Sequence, residues 1–232
     1  MSQQNNLFRI KAVHEALGPL KNDVVFVGGA TVALYADREA EEPRFTEDID
    51  ILIELWAYND YTIIESQLLK MGFVNDKESG IICRYRFDGI VVDVMATGEN
   101  VLGFGNKWYP QGFKNSLAYK TDIFSSVKIF SAPYFIATKL EAFKSPDRRD
   151  NNNGIQSADF EDIIFVLANR LSVWQELSDA SEDVKEYLQS EFKKLLNNPR
   201  IEEWVDSHAG FGSPPLTNYI LDHLKKFTEE TK

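Results

Sequence analysis

Cysteine and histidine are scarce: Cys83 stands alone, and the three histidines, His14, His208 and His223, are spread over 232 residues. A single thiol excludes an internal disulfide. The histidines lack a carboxylate or cysteine at ligand spacing, which argues against a histidine-based zinc centre. No apolar run is long enough to cross a bilayer, and the opening MSQQNNLFRI has no apolar segment of the secretory kind. The expectation is a soluble, cytoplasmic protein without membrane contact. Positive charge is short as well: 25 Lys and Arg against 36 Asp and Glu give −11, which speaks against broad attraction to phosphate backbones.

The deficit is uneven. Between Gly103 and Arg149 eight Lys or Arg face three acids, leaving that stretch at +5 and the remainder at −16. An acidic chain with one basic stretch can hold a local polyanion such as a triphosphate, although solvated surface lysines give the same count. With 44% hydrophobic and 26% charged residues the chain can bury a sizeable core.

Periodicity orders the elements. Leu7 to Leu20 has helical spacing and ends at Gly18 and Pro19. VVFVGG is a β-branched run closed by two glycines, and ATVALYADRE after it has helical spacing, so the unit reads strand, glycine turn, helix. DREAEEPRFT is a loop. DIDILI is a strand, and YTIIESQLLKMGF is a helix closed by Gly72. IICRYRF and IVVDVMAT are strands joined by Asp88-Gly89, a dipeptide suited to a tight hairpin. The Gly- and aromatic-rich NVLGFGNKWYPQGF reads as a loop, SVKIF as a strand, and SAPYFIATKLEAFK as a helix started by Ser131 and Pro133. DRRDNNNGIQ is a connector; from Ser157 onward every periodic segment is helical. These readings give an α/β (α+β) core with a mixed sheet over 1–130 and a helical region over 131–232 packed on it.

The chemistry concentrates in RFTEDIDILIEL. A strand has a side-chain period of two, so Asp48 and Asp50 leave one face of an otherwise apolar run. Acids at the mouth of a core strand need a cationic answer, and a metal ion can be that answer. Gly28 and Gly29 end the preceding strand, where glycine lets backbone amides approach a phosphate closely. Asp93, inside IVVDVM, can complete a carboxylate triad of hard oxygen ligands suited to Mg²⁺ or Mn²⁺ and able to hold two metals. Each feature has a plainer reading. The glycines can be a structural turn, the Asp pair a solvent-facing strand end, and Asp93 a buried hydrogen-bonded acid beside Val91 and Met95. Trp108 and Tyr109 can stack on a base or close over a core. Cys83 reads as a small buried apolar residue.

Taken in order, VVFVGGATVAL, RFTEDIDI, ICRYRF, VVDVMAT, VLGFGNKWYP, APYFIATKLEAF and DFEDIIFVLANR resemble the AbiEii-type nucleotidyltransferases, a group within the superfamily that includes DNA polymerase β. The resemblance covers most of the chain to Arg170. It implies a nucleotidyltransferase core, a nucleoside triphosphate (NTP) donor with divalent metal, metal ligation by Asp48 and Asp50, and a share in that metal or a base role for Asp93. It also implies triphosphate contacts from Gly28 and Gly29. Lys139 resembles the group's phosphate-proximal lysine, but on a helix with Phe135, Ile136 and Phe143 it can equally snorkel to the surface. Arg44, four residues before Asp48, can serve like Lys139. The interval from Gly29 to Asp48 is longer than in compact members of the group, which implies an inserted loop at Asp37 to Arg44, and Ala158 stands where the group has a histidine, leaving Asp159 and Asp162 as candidates for supporting contacts.

The resemblance implies a toxin-like enzyme with a cognate antitoxin. Its acceptor is left open among tRNA, a protein side chain and a small molecule such as a cationic antibiotic. A glycosyltransferase also uses a DxD, but too little chain precedes Asp48 for its nucleotide-binding half. A catalytically inactive binding protein or antitoxin-like partner on the same fold is the non-enzyme alternative.

Overall fold

Val24–Val27, strand β1, is buried at all four positions, as expected of a strand with neighbours on both edges and layers on both faces. The structure, a computed structural model, describes residues 2–37, 43–55, 57–98, 101–120, 126–146, 152–210 and 216–230. The described residues form two compact units, the first from Met1–Leu34 and Arg44–Ser131, the second from Tyr35–Pro43 and Ala132–Lys232.

The first unit is built on a mixed seven-stranded sheet. Its strands are β1, β2 (Asp48–Ile53), β3 (Val74–Asn75), β4 (Arg84–Phe87), β5 (Ile90–Ala96), β6 (Leu117–Tyr119) and β7 (Val127–Ile129), in the order β3-β4-β5-β2-β1-β7-β6. β2 runs parallel to β5 and β1 parallel to β7; the other pairs are antiparallel. The edge strands β3 and β6 are the shortest or nearly so, which limits edge-to-edge pairing with other chains. Neither edge was evident in the periodicity, because two or three residues are too few to show alternation.

The two faces of the central strands differ. Ile49, Ile51, Val92, Val94 and Tyr85 alternate onto one face and are fully buried. Helix α1 (Ser2–Ala16) reaches that face where His14 lies 6.1 Å from Phe26, the register partner of Ile51. Helix α2 (Tyr58–Lys70) reaches it where the Tyr61 hydroxyl meets that of Tyr85 at 3.2 Å. Asp48, Asp50 and Asp93 alternate onto the opposite face. The β4–β5 connection is the tight hairpin expected: Asp88 and Gly89 both take positive φ, 46° and 76°, as a two-residue turn of this hand requires.

Three sequence readings need correction. ATVALYADRE is not an α-helix where it is described; Gly29–Tyr35 is a 3-10 helix, and 38–42 lie outside the described residues. IICRYRF forms a strand only from Arg84; Ile81 and Ile82 are exposed ahead of it. The loop around Trp108 contains helix α3 (Tyr109–Lys114), in which Gly112 lies so close to Phe130 that a Cβ there would sit 2.8 Å from the ring. Trp108 is buried, as its core reading expects. Residues 147–151 of the connector and 38–42 of the expected insertion lie outside the described residues.

The second unit is helical among its described residues: α4 (Ala132–Lys144), α5 (Ala158–Asn169), α6 (Val173–Ser178), α7 (Glu182–Leu196), α8 (Ile201–Asp206) and α9 (Leu216–Glu229). α6 was missed, being only six residues long. Ser157 caps α5 by accepting from the Phe160 amide. One turn in, Asp159 and Asp162 both meet Lys139 of α4, at 3.0 and 2.7 Å. Lys139 is therefore buried between carboxylates, not snorkelling.

Removing one partner of such a group leaves uncompensated buried charge. Lys139→Met is expected to destabilise the protein by about 3–5 kcal/mol, seen as a lower urea midpoint. Adding Asp159→Asn and Asp162→Asn should restore part of the loss. An unchanged midpoint for the single variant would refute a structural role for the cluster.

Candidate active site

Register brings the acids together. The parallel pairing of β2 with β5 sets Asp50 opposite Asp93, and the period of two sets Asp48 on the same face. One oxygen from each of Asp48, Asp50 and Asp93 lies within 4.8 Å of the others, and all three residues are half-buried. The sequence proposed this triad without knowing that Asp50 and Asp93 are direct cross-strand partners.

Arg84 answers the charge. The hairpin register places it opposite Asp93. Its Nε donates to Asp93 Oδ1 at 2.8 Å and its Nη2 to Asp93 Oδ2 at 2.6 Å, a bidentate fork, while Nη2 also reaches Asp48 Oδ2 at 3.4 Å. The Asp93 hydrogen bonds raise the guanidinium's pKa above its ordinary value, so it is a permanent cation here. Arg84 was not singled out from the sequence, yet the signal was present. Counting back from the Asp88-Gly89 turn pairs Phe87 with Ile90 and, three steps on, Arg84 with Asp93.

The glycines serve closeness. Gly28 has φ +73°, and a Cβ there would lie 1.9 Å from Asp50 Oδ2, so the carboxylate rests against its bare Cα. At Gly29 a Cβ would lie 2.5 Å from Arg44 Nη2 and 2.6 Å from Thr46 Cγ2. Arg44 is thus brought onto the glycine turn. Thr31 closes the turn with its amide and hydroxyl on the Gly28 carbonyl.

A second missed arginine fixes the approach to the acids. Arg9 of α1 donates to the carbonyls of Thr46, at 2.6 Å, and Glu47, and its guanidinium lies over the Phe45 ring. Burial lowers its pKa and the nearby Asp48 opposes that shift. No spacing in the sequence links residue 9 to residue 46. Lys139 lies in the second unit and is engaged with Asp159 and Asp162. Cys83, next to Arg84, is buried; burial first, and the charge of Asp93 next, push its thiol up to about 12.

Three carboxylate oxygens at this spacing, with a glycine cradle beside one of them, form a donor set of the hard kind that divalent cations take. The family description "Nucleotidyl transferase AbiEii toxin, Type IV TA system" matches residues 13–208. The chain belongs to the AbiEii nucleotidyltransferase toxin family. Among solved structures, an antigenic nucleotidyltransferase-like protein from Paracoccidioides brasiliensis is similar over 92% of this chain and 97% of its own, at 20% identity and a TM-score of 0.50. That likeness shows the fold. No curated protein matches. The AbiEii match includes the glycine turn, all three acids, Arg84 and the Lys139 cluster. No helix among the described residues is long and apolar enough to cross a membrane.

Gly28→Ala is expected to cost about 1–2 kcal/mol for the left-handed backbone and more for displacing Asp50. In an Asp50→Gly background only the backbone part should remain, so urea unfolding of the four proteins should show strong non-additivity. Additive costs would mean that Asp50 does not rest on Gly28. For Cys83, Ellman's reagent at pH 8 should leave the native protein unlabelled and label one thiol in urea; rapid native labelling would contradict its burial.

Proposed function

We propose that the protein is a metal-dependent nucleotidyltransferase that moves a nucleoside monophosphate from an NTP to an acceptor hydroxyl and releases pyrophosphate. The observation that carries this reading is the in-register triad of Asp48, Asp50 and Asp93, with one oxygen of each inside 4.8 Å. Family membership supports it.

In this reading Asp48 and Asp50 hold the divalent cation, Mg²⁺ or Mn²⁺, and Asp93 shares it or accepts the acceptor's proton. Such a cation, when bound, neutralises triphosphate charge and lowers the pKa of the attacking hydroxyl. Gly28 leaves room for the Asp50 carboxylate, and Gly29 brings Arg44, a planar donor suited to phosphate, onto the turn. Arg9 holds the Thr46 and Glu47 carbonyls and so fixes where the DxD begins. Arg84 holds both oxygens of Asp93. For Lys139 a phosphate contact rests on the resemblance alone. The acceptor is a tRNA, a protein or a small molecule, and a cognate antitoxin is the partner that membership in a type IV system implies.

The test is transfer of label from each α-³²P NTP, with Mg²⁺ or Mn²⁺, into the RNA, protein and small-molecule fractions of a cell extract. Label should enter one fraction with the wild type. Asp48→Asn and Asp50→Asn should each lower that transfer by roughly 10³-fold or more, several kcal/mol of transition-state stabilisation. A folded wild type that labels no fraction under any condition would replace the active enzyme with a binding protein on the same fold or an enzyme that a partner must activate.

A further inference from the structure

We infer that Arg84 is a resident counter-charge that weakens binding of free divalent cations to the carboxylate triad, so that the full cation complement enters together with the triphosphate. This rests on the metal-dependent reading above and adds to it a reason for an arginine beside the ligands. With the carboxylates ionised, Asp48, Asp50 and Asp93 carry −3, and Arg84, within salt-bridge distance of two of them, brings the group to −2. One divalent cation then neutralises the group. A second leaves an excess of positive charge that triphosphate oxygens can answer.

The geometry favours this role over one of merely holding Asp93. An arginine that only oriented Asp93 would need the fork alone, yet Nη2 also reaches across to Asp48, and so touches members of the triad on both strands. Arg84 and Asp93 are mostly shielded from solvent, with side-chain exposures of 23% and 13%, so the charge acts on Asp93 with less screening than on Asp48, which is 37% exposed. The two roles predict opposite signs. Loss of a positioning residue weakens cation binding, whereas loss of a counter-charge strengthens it.

The experiment is Mn²⁺ titration without nucleotide, following the free-ion electron paramagnetic resonance signal, for wild type, Arg84→Gln and Arg84→Lys, with circular dichroism of each. Arg84→Gln should bind Mn²⁺ about tenfold more tightly than wild type, as removal of a neighbouring unit charge at a half-buried site implies. Arg84→Lys, which keeps the charge without the fork, should stay within about threefold of wild type. Metal-free Arg84→Gln should melt below wild type, with Mn²⁺ closing the gap; a variant folded only with Mn²⁺ present counts the same way. Equal or weaker Mn²⁺ binding by Arg84→Gln, with wild-type binding intact, overturns the inference alone. Absence of Mn²⁺ binding to every protein also overturns the inference alone, whereas NTP label transfer that proceeds undiminished with EDTA in place of Mg²⁺ or Mn²⁺ overturns the metal-dependent reading along with it.

Discussion

Three carboxylates crowded on one half-buried sheet face repel one another, and the rest of the first unit is arranged around that repulsion. At their spacing, inside 4.8 Å, unit charges repel by on the order of 3 kcal/mol per pair at an effective dielectric near 20. Such crowding persists only where the framework fixes it and cations relieve it. Framework comes from the parallel register of β2 on β5, which makes Asp50 and Asp93 neighbours, and from the β4–β5 hairpin, which delivers Arg84 to the same row. Relief comes from that arginine, with Arg9 acting on Asp48 from α1.

The reverse face makes the crowding affordable. Ile49, Ile51, Val92, Val94 and Tyr85 are fully buried on it, and a strand period of two means that every apolar residue buried there places its neighbour on the acid face. A one-residue slip of β2 would turn the acids into the apolar layer beneath α1 and α2 and expose the isoleucines. Hydrophobic register thus positions the acids, and the bare Cα of Gly28 gives Asp50 somewhere to lie.

What could be read in the sequence followed from local rules. Period two put Asp48 and Asp50 on one face, a β-branched run followed by two glycines marked the turn, and Asp88-Gly89 fixed the hairpin. The hairpin also encoded the Arg84–Asp93 pair, which required only counting back from the turn. The parallel partner of β2 lies 43 residues on, Asp50 pairing with Asp93, with a helix and a strand pair between, and no local pattern fixes that register. Arg9 is further removed still, a long side chain from the first helix bonding two backbone carbonyls of a loop. The stretch after Gly29 misled because helical spacing does not distinguish a 3-10 turn held by Thr31 on Gly28 from a full α-helix.

Two aspartate clusters among the described residues show how burial decides what a set of charges is for. In the second unit Lys139 binds Asp159 and Asp162, all of them nearly closed off from water, and the cation sits between its acids. Buried, paired charge of this kind resists exchange, because any incoming ligand must replace interactions that water cannot supply during the swap. In the first unit the acids outnumber their fork-bound arginine three to one, and Asp48 keeps 37% of its side chain exposed. Excess negative charge is tolerable there because water reaches it, and water that reaches it can be displaced by a cation. The same residue types therefore make a closed ionic knot in one unit and a receptive one in the other, and the difference lies in how far the strand end bearing Asp48 opens to solvent.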